Sequence, residues 1–340
     1  MGLPFLFGIV ALAFAVSFLG TKLLIHSAWR KGLLASDDNK KGKPKVPNFG
    51  GFALFAGFCI SILAAVLYSF FIDKTFALST LLLASLSSVA LVALIGVFDD
   101  LFRISRWLKI FLPVVGALPL IVITAGDTVM SLPFIGVVDF GLFYTFFLIP
   151  LGVTGAANAI NMSAGYNGLE TGQGVVISLF LLLIAFLAIG VDPSNISLHA
   201  STFILASLFG ACLGFLYFNR YPSKVFPGDI GTLVIGAAIA NAVIIGNMEK
   251  FGFLLFIPAF YELGATLYYF GRGDERRRAC HSPVIASDGK LSPPKGAEKF
   301  TLFYRILSAK PLKEKTLVLF VLSLYALFGV VALALYFFGL

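Results

Sequence analysis

The chain has 340 residues, 59% of them hydrophobic and 37 of them Phe, with only 12% charged and a formal net charge of +8. That composition excludes a soluble domain of this length, and apolar runs of about 20 residues mark a polytopic membrane protein. The three cysteines exclude a disulfide framework, because Cys59 and Cys212 lie inside apolar runs and Cys280-His281 has no second Cys or His at ligand spacing.

Ten spans are predicted, over 3–25, 50–71, 76–98, 107–125, 141–162, 173–190, 198–218, 229–246, 251–270 and 315–338, giving an all-α bundle that forms one domain over 1–340. The first lacks a basic n-region and a small-x-small cleavage site, so it reads as a retained helix and not a signal peptide. The loop over 26–49 carries Arg30, Lys31, Lys40, Lys41, Lys43 and Lys45, read as orientation signals that also meet anionic lipid. It ends in P-N-F-G-G at Pro47–Gly51, where the glycine pair points to close backbone approach.

Span 3 runs into Asp99-Asp100. Carboxylates at a helix C-terminus oppose the helix dipole and repel each other. A divalent ion, or Arg103, Arg106 and Lys109 downstream, must offset them; an ordinary solvated acidic turn is the plainer reading. An aspartate-rich prenyltransferase motif is excluded, since Arg103 stands where it requires an acid. On the opposite side of the membrane, 126–140 is expected to form a short hairpin or interfacial segment.

The most polar stretch at a span end is Asn158–Gln173, N-A-I-N-M-S-A-G-Y-N-G-L-E-T-G-Q. Such groups near hydrocarbon are costly unless they bind something. Asn158 and Asn161 share one helical face, while Gly165, Gly168, Gly172 and Gly174 let backbone turn and approach a ligand. The bland alternative is a polar helix end followed by a glycine-rich turn.

Asn219–Thr232 reads N-R-Y-P-S-K-V-F-P-G-D-I-G-T. Asp229 there is either a helix N-cap or a hard-oxygen ligand suited to Mg²⁺. Phe226 is either a stacking platform for a nucleobase or a membrane anchor. Glu262 is a lone acid inside span 9, a candidate site residue with no role assigned. The loop over 271–314 gathers Arg272, Arg276, Arg277, Arg278 and His281, whose cations either orient diphosphate oxygens or meet lipid headgroups.

With ten spans, 23 of the 25 Lys and Arg fall on one side, leaving Lys74 and Lys250 on the other. The positive-inside rule then makes 26–49, 99–109, 163–172, 219–228 and 271–314 cytoplasmic and puts both termini outside. Acids, amides, glycines and cations gathered on one face fit a Mg²⁺-dependent reaction of a phosphate diester or diphosphate at the membrane surface. A transporter is the rival reading; polar clusters at one face and no inverted repeat weigh against it. Nothing points to nucleic acid.

The two long motifs, with the Asp99-Asp100 pair and the ten-span layout, resemble the polyprenyl-phosphate N-acetylhexosamine-1-phosphate transferases across nearly the whole chain. They are most similar to the eukaryotic and archaeal enzymes that act on UDP-GlcNAc and dolichyl phosphate. The resemblance implies that Asn161 and Asp229 hold Mg²⁺, with Mn²⁺ as a possible substitute. It implies that Asn167, beside Gly168, hydrogen-bonds uracil and that Phe226 stacks on it. Lys109 would contact the diphosphate, and Asp99 and Asp100 would serve the acceptor phosphate or the metal. Arg278 and His281 fall where the family places a His- or Arg-rich motif near the diphosphate and sugar, although here His281 stands alone in C-H-S-P. The family also implies UMP release, a first step of lipid-linked glycan assembly such as N-glycosylation, tunicamycin sensitivity and a homodimer. A sister enzyme using UDP-muramyl-pentapeptide or UDP-GalNAc is the alternative, against which G-Y-N-G-L-E-T-G-Q stands in place of an aspartate-rich version. The compact chain favours an archaeal-type cell membrane over an ER membrane.

Overall fold

The computed structural model describes residues 3–102, 104–132, 136–270, 283–298 and 300–339. Among these, nine helices are long and apolar enough to cross a membrane. They are α1 (Leu3–Lys31), α2 (Gly51–Phe71), α3 (Phe76–Phe102), α6 (Ile149–Ser163, entered through the π turn Tyr144–Leu148), α7 (Leu169–Val191), α8 (Ile196–Asn219), α9 (Gly228–Ile245), α10 (Glu249–Phe270) and α12 (Glu314–Phe337).

The span expected over 107–125 departs from that pattern. Pro113 and Pro119 each remove a backbone donor and crowd the preceding turn. The segment therefore breaks into α4 (Arg106–Phe111), a 3₁₀ turn (Leu112–Ala117) and α5 (Leu118–Val122). Two boundaries also differ in ways that matter. α3 continues to Phe102, so Asp99 and Asp100 sit in its last turns instead of in a loop, and α7 begins at Leu169, four residues early.

The bundle is all-α as expected, but its connections add three small antiparallel sheets. β1 (Leu34–Ser36) pairs with β2 (Lys45–Pro47), and β3 (Val129–Leu132) pairs with β4 (Gly136–Asp139), the hairpin anticipated at 126–140. In the C-terminal connection β6 (Lys290–Ser292) lies between β5 (Val284–Ile285) and β7 (Leu312–Lys313), with α11 (Leu302–Ala309) between the last two strands in sequence.

α9 is the axis. Every residue from Ile230 to Ile245 is buried, and the helix packs on α2, α3, α6 and α8. A helix apolar all round belongs inside a bundle, and small residues let its neighbours come close. At Gly236 a β-carbon would stand 2.3 Å from Ala156 O, and at Gly96 of α3 one would stand 2.6 Å from Ile230 Cα. A polar clip fixes the rotation of α3 against α9: Ser88 donates to Asn241 Oδ1 (3.2 Å), and Asn241 Nδ2 donates to Ser85 O (3.2 Å). The axis therefore delivers its first turn, Gly228–Thr232, between the ends of α3 and α6.

Candidate active site

That first turn is built from close approach. Gly228 has φ +65°, and a β-carbon on it would lie 2.6 Å from the Asp100 carboxylate. The backbone N–H groups of Asp229 and Ile230 donate to Asp100 Oδ1 (3.2 Å) and Oδ2 (3.4 Å). Asp100 thus caps α9 from a neighbouring helix. The exposed N–H dipoles at the start of α9 supply the positive charge that an acid at the end of α3 lacks. Asp229 is not the N-cap itself; that position is Pro227, and Asp229 is the second residue of the helix's first turn.

Asp229 is free to face the cleft. Its Oδ1 accepts from Asn161 Nδ2 (2.5 Å), and its Oδ2 accepts from Lys109 Nζ (2.6 Å). The same ammonium contacts Asp99 Oδ2, so Lys109 bridges two carboxylates 130 residues apart in sequence, Asp99 and Asp229. Asn161 Nδ2 also donates to Thr232 Oγ1 (2.7 Å), which fixes the amide with its nitrogen shared between Asp229 and Thr232. Lys109 is held by its own helix: Ser105 Oγ caps α4 by accepting from Leu108 N (3.3 Å). Asn158 Nδ2 anchors the next residue by donating to Ile110 O (2.9 Å). Asn158 and Asn161 do share a face, with different tasks: one fastens α4, the other holds Asp229.

Two carboxyl groups, Asp99 and Asp229, share one ammonium, with Asp100 beside them on the backbone of α9, and the cluster's donors are hard oxygens. Among the described residues no closed group of three or more His, Cys, Asp and Glu side chains is set to hold a metal. Mg²⁺ does not require such a cage, since it uses one or two carboxylates and completes its shell with phosphate and water. Lys109 Nζ already stands as a cation between two of those carboxylates, so the donor set fits a small divalent ion. Asp229 and Asp99, with the Asn161 amide turned, would hold it.

The sequence motif's other asparagine lies in a separate network. Asn167, 3% exposed, accepts at Oδ1 from Lys40 Nζ (2.8 Å) and Ser223 N (2.8 Å), and donates from Nδ2 to Asp37 Oδ2 (3.2 Å). Its backbone N–H donates to Glu314 Oε1 (2.7 Å), and Lys40 Nζ also donates to Glu314 Oε2 (2.9 Å) and contacts Asp37. Asn39 Nδ2 donates to Gly165 O (2.8 Å). Lys40 is therefore not a solvated orientation signal, as expected for the first loop's lysines, but a bridge between two buried acids. Asp37, Asn39, Lys40, Thr232 and Glu314 are the residues that the motifs did not flag.

Phe226 is half-buried, and its backbone is knitted to the P-N-F-G-G segment. Phe226 N donates to Pro47 O and Gly50 N donates to Phe226 O, both at 2.8 Å. The glycine pair makes that possible: a β-carbon on Gly51 would stand 2.2 Å from Gly231 N. Gly168 starts α7 at φ +81°, where a side chain would be strained. Arg278 and His281 lie outside the described residues, as do Arg272, Arg276 and Arg277.

Glu262, left without a role by its sequence, caps another helix. Buried in α10, it accepts at Oε1 from Phe303 N (3.3 Å) at the start of α11, where Thr301 Oγ1 accepts from Tyr304 N (3.2 Å). The Phe303 ring lies 5.0 Å from that of Tyr166, beside Asn167. Glu262→Leu is expected to lower stability by about 1–3 kcal/mol, the range for leaving a buried donor, here the Phe303 N–H, unpaired. It should also loosen the Tyr166 loop and raise the donor KM. Glu262→Gln keeps the accepting oxygen and should keep most of both. Equal damage in the two variants, in thermal unfolding and steady-state kinetics, would show that Glu262 acts by charge and not as a cap.

Four similarities bear on this cleft. Residues 82–247, which contain Asp99 through Asp229, match the family described as glycosyl transferase family 4. A Saccharolobus solfataricus protein, provisionally named a UDP-N-acetylglucosamine–dolichyl-phosphate N-acetylglucosaminephosphotransferase, is 30% identical over 96% of this chain and 95% of its own length. A Sulfolobus acidocaldarius protein of the same provisional name is 36% identical over 73% of this chain and 74% of its own. The Dictyostelium discoideum protein named for the same activity is 31% identical over 66% of this chain and 62% of its own.

Proposed function

The chain belongs to glycosyl transferase family 4, and on that premise we propose that it transfers N-acetylglucosamine 1-phosphate from UDP-N-acetylglucosamine to a dolichyl-type polyprenyl phosphate. An acceptor phosphate oxygen bonds to the β-phosphorus of the donor, the bond from that phosphorus to the bridging oxygen breaks, and UMP leaves with that oxygen. A phosphate monoester is largely ionised at neutral pH, its second pKa being about 6. Positioning and charge neutralisation therefore matter more than a strong base.

The observation that carries this reading is the Lys109 bridge between Asp99 and Asp229, with Asn161 beside it, at the positive end of α9. Lys109 neutralises diphosphate charge as it develops on the leaving group. Asp229 and Asp99, with the Asn161 amide turned, would hold Mg²⁺, which would supply charge that screens the two phosphorylated reactants from each other. Asp100 keeps the turn of α9 in place. Asn167 and Phe226 define the uracil end, while Arg278 and His281 are assigned to the sugar by the family resemblance alone. The acceptor's prenyl chain approaches from the bilayer along α10, where an open groove of about 350 Å³ is walled by Phe260, Tyr261 and Tyr268 and flanked by Arg305. The basic face on which the cluster sits is cytoplasmic by charge asymmetry, in a cell membrane of archaeal type.

UMP release by the detergent-solubilised chain, given dolichyl phosphate and a panel of UDP-GlcNAc, UDP-GalNAc and UDP-muramyl-pentapeptide, tests substrate and metal together. UDP-GlcNAc is expected to be the best donor, with turnover abolished by chelation, restored by added Mg²⁺ and inhibited by tunicamycin. Preference for the muramyl donor would move the chain to the sister reaction, and turnover untouched by chelation would remove the metal from the mechanism.

A further inference from the structure

On the α8–α12 side of the bundle, past the Asn167 network, an open groove of about 480 Å³ runs between the last turn of α8, the 220–224 turn and the first turns of α12. Its head carries Arg220, Lys224 and Lys315, all exposed. Its wall is Leu216 of α8 with Val318, Leu319 and Leu322 of α12. Among the described residues no acid lines the groove and none of the three cations is in an ion pair. Arg220 instead lies over the Tyr217 ring, 5.2 Å from its centroid, an arrangement that leaves guanidinium N–H groups free to donate.

Like charges held together without a counter-charge repel, so this cluster favours an anionic occupant. The wall belongs to helices long and apolar enough to span the bilayer, which makes the neighbouring medium acyl chain below and headgroup above. Cations at a helix end over an apolar wall match one amphiphile with a negative head. The geometry points to a bound anionic phospholipid, its phosphodiester on Arg220, Lys224 and Lys315 and one acyl chain along Leu216, Leu319 and Leu322. The site is distinct from the catalytic cluster, whose residues come from α3, α4, α6 and α9. Asn167 and Gly168 also line the groove, so its occupant adjoins the motif loop assigned above to the nucleotide.

Full-length protein from phosphatidylcholine nanodiscs containing phosphatidylglycerol, released into native mass spectrometry, tests this directly. The wild-type chain should retain one phosphatidylglycerol in preference to phosphatidylcholine. The combined Arg220→Gln, Lys224→Gln and Lys315→Gln variant should lose that preference by on the order of a hundredfold, three cations each contributing roughly fivefold. Leu319→Trp fills the wall without touching a charge and should also expel the lipid, which keeps the test decisive if the triple variant folds poorly. Equal retention of both lipids by the wild type, or unchanged retention in both variants, overturns the proposal. So does displacement of phosphatidylglycerol by added polyprenyl phosphate, which would make the groove the acceptor's own site.

Discussion

Asp229→Asn is expected to cut turnover by about 10²–10³-fold or more while leaving the protein folded, in line with the loss of a single preorganised electrostatic group. The substitution keeps shape and removes charge. Only one of the two donors, Asn161 Nδ2 or Lys109 Nζ, would still find an oxygen there, the other would face the new amide NH₂, and the carboxylate that shares Lys109 with Asp99 and would bind the cation is gone. Stability should change little. An acid in the first turn of a helix contributes about 0.3–1 kcal/mol through the dipole, and the cap on α9 comes from Asp100, which the substitution leaves alone. Asn161→Ala should show a similar collapse of turnover. Rates within a few-fold of wild type across a Mg²⁺ titration would place the metal elsewhere.

Lys109→Met should produce two effects of opposite sign. Turnover falls by about 10²–10³-fold, because the diphosphate loses its fixed cation. Affinity for a divalent ion in the absence of substrate rises, because the ammonium that now occupies the space between Asp99 and Asp229 no longer competes for it. Mn²⁺ binding followed by electron paramagnetic resonance, beside UMP release, reads both. A purely structural lysine would lower activity without tightening the ion; weaker Mn²⁺ binding in the variant would refute the competition. Asp99 and Asp229, left facing each other without a cation, would also make the variant more stable with Mn²⁺ than without it.

The members of the candidate cluster stood out in the sequence because each carries a cost that only a partner removes. Asp99-Asp100 at a helix end, Asn161 at a span terminus and Asp229 after Pro-Gly each demanded a counterpart, and the fold brings them to one place. The helical spans were legible from hydropathy, with one exception at 107–125. A hydropathy window sums composition and is blind to Pro113 and Pro119, which decide the backbone there. The Asn167 network was not legible. Lys40 has the same appearance in a sequence whether it is solvated or held between Asp37 and Glu314, and the second partner is 274 residues away. Glu262 was visible as an anomaly, yet its partner is a backbone N–H at Phe303, which has no side-chain signature.

Lys40 joins strands of chain made at very different times. Its amine holds the first connection through Asp37, the middle of the chain through Asn167 and the start of the last helix through Glu314. During biosynthesis, Asn167 has neither its backbone partner nor its full set of side-chain contacts until α12 has emerged and inserted. A chain stalled on the ribosome before Glu314 would carry Asp99, Lys109, Asn161 and Asp229 with the Asn167 network still incomplete, so the two polar networks are finished at different stages of synthesis.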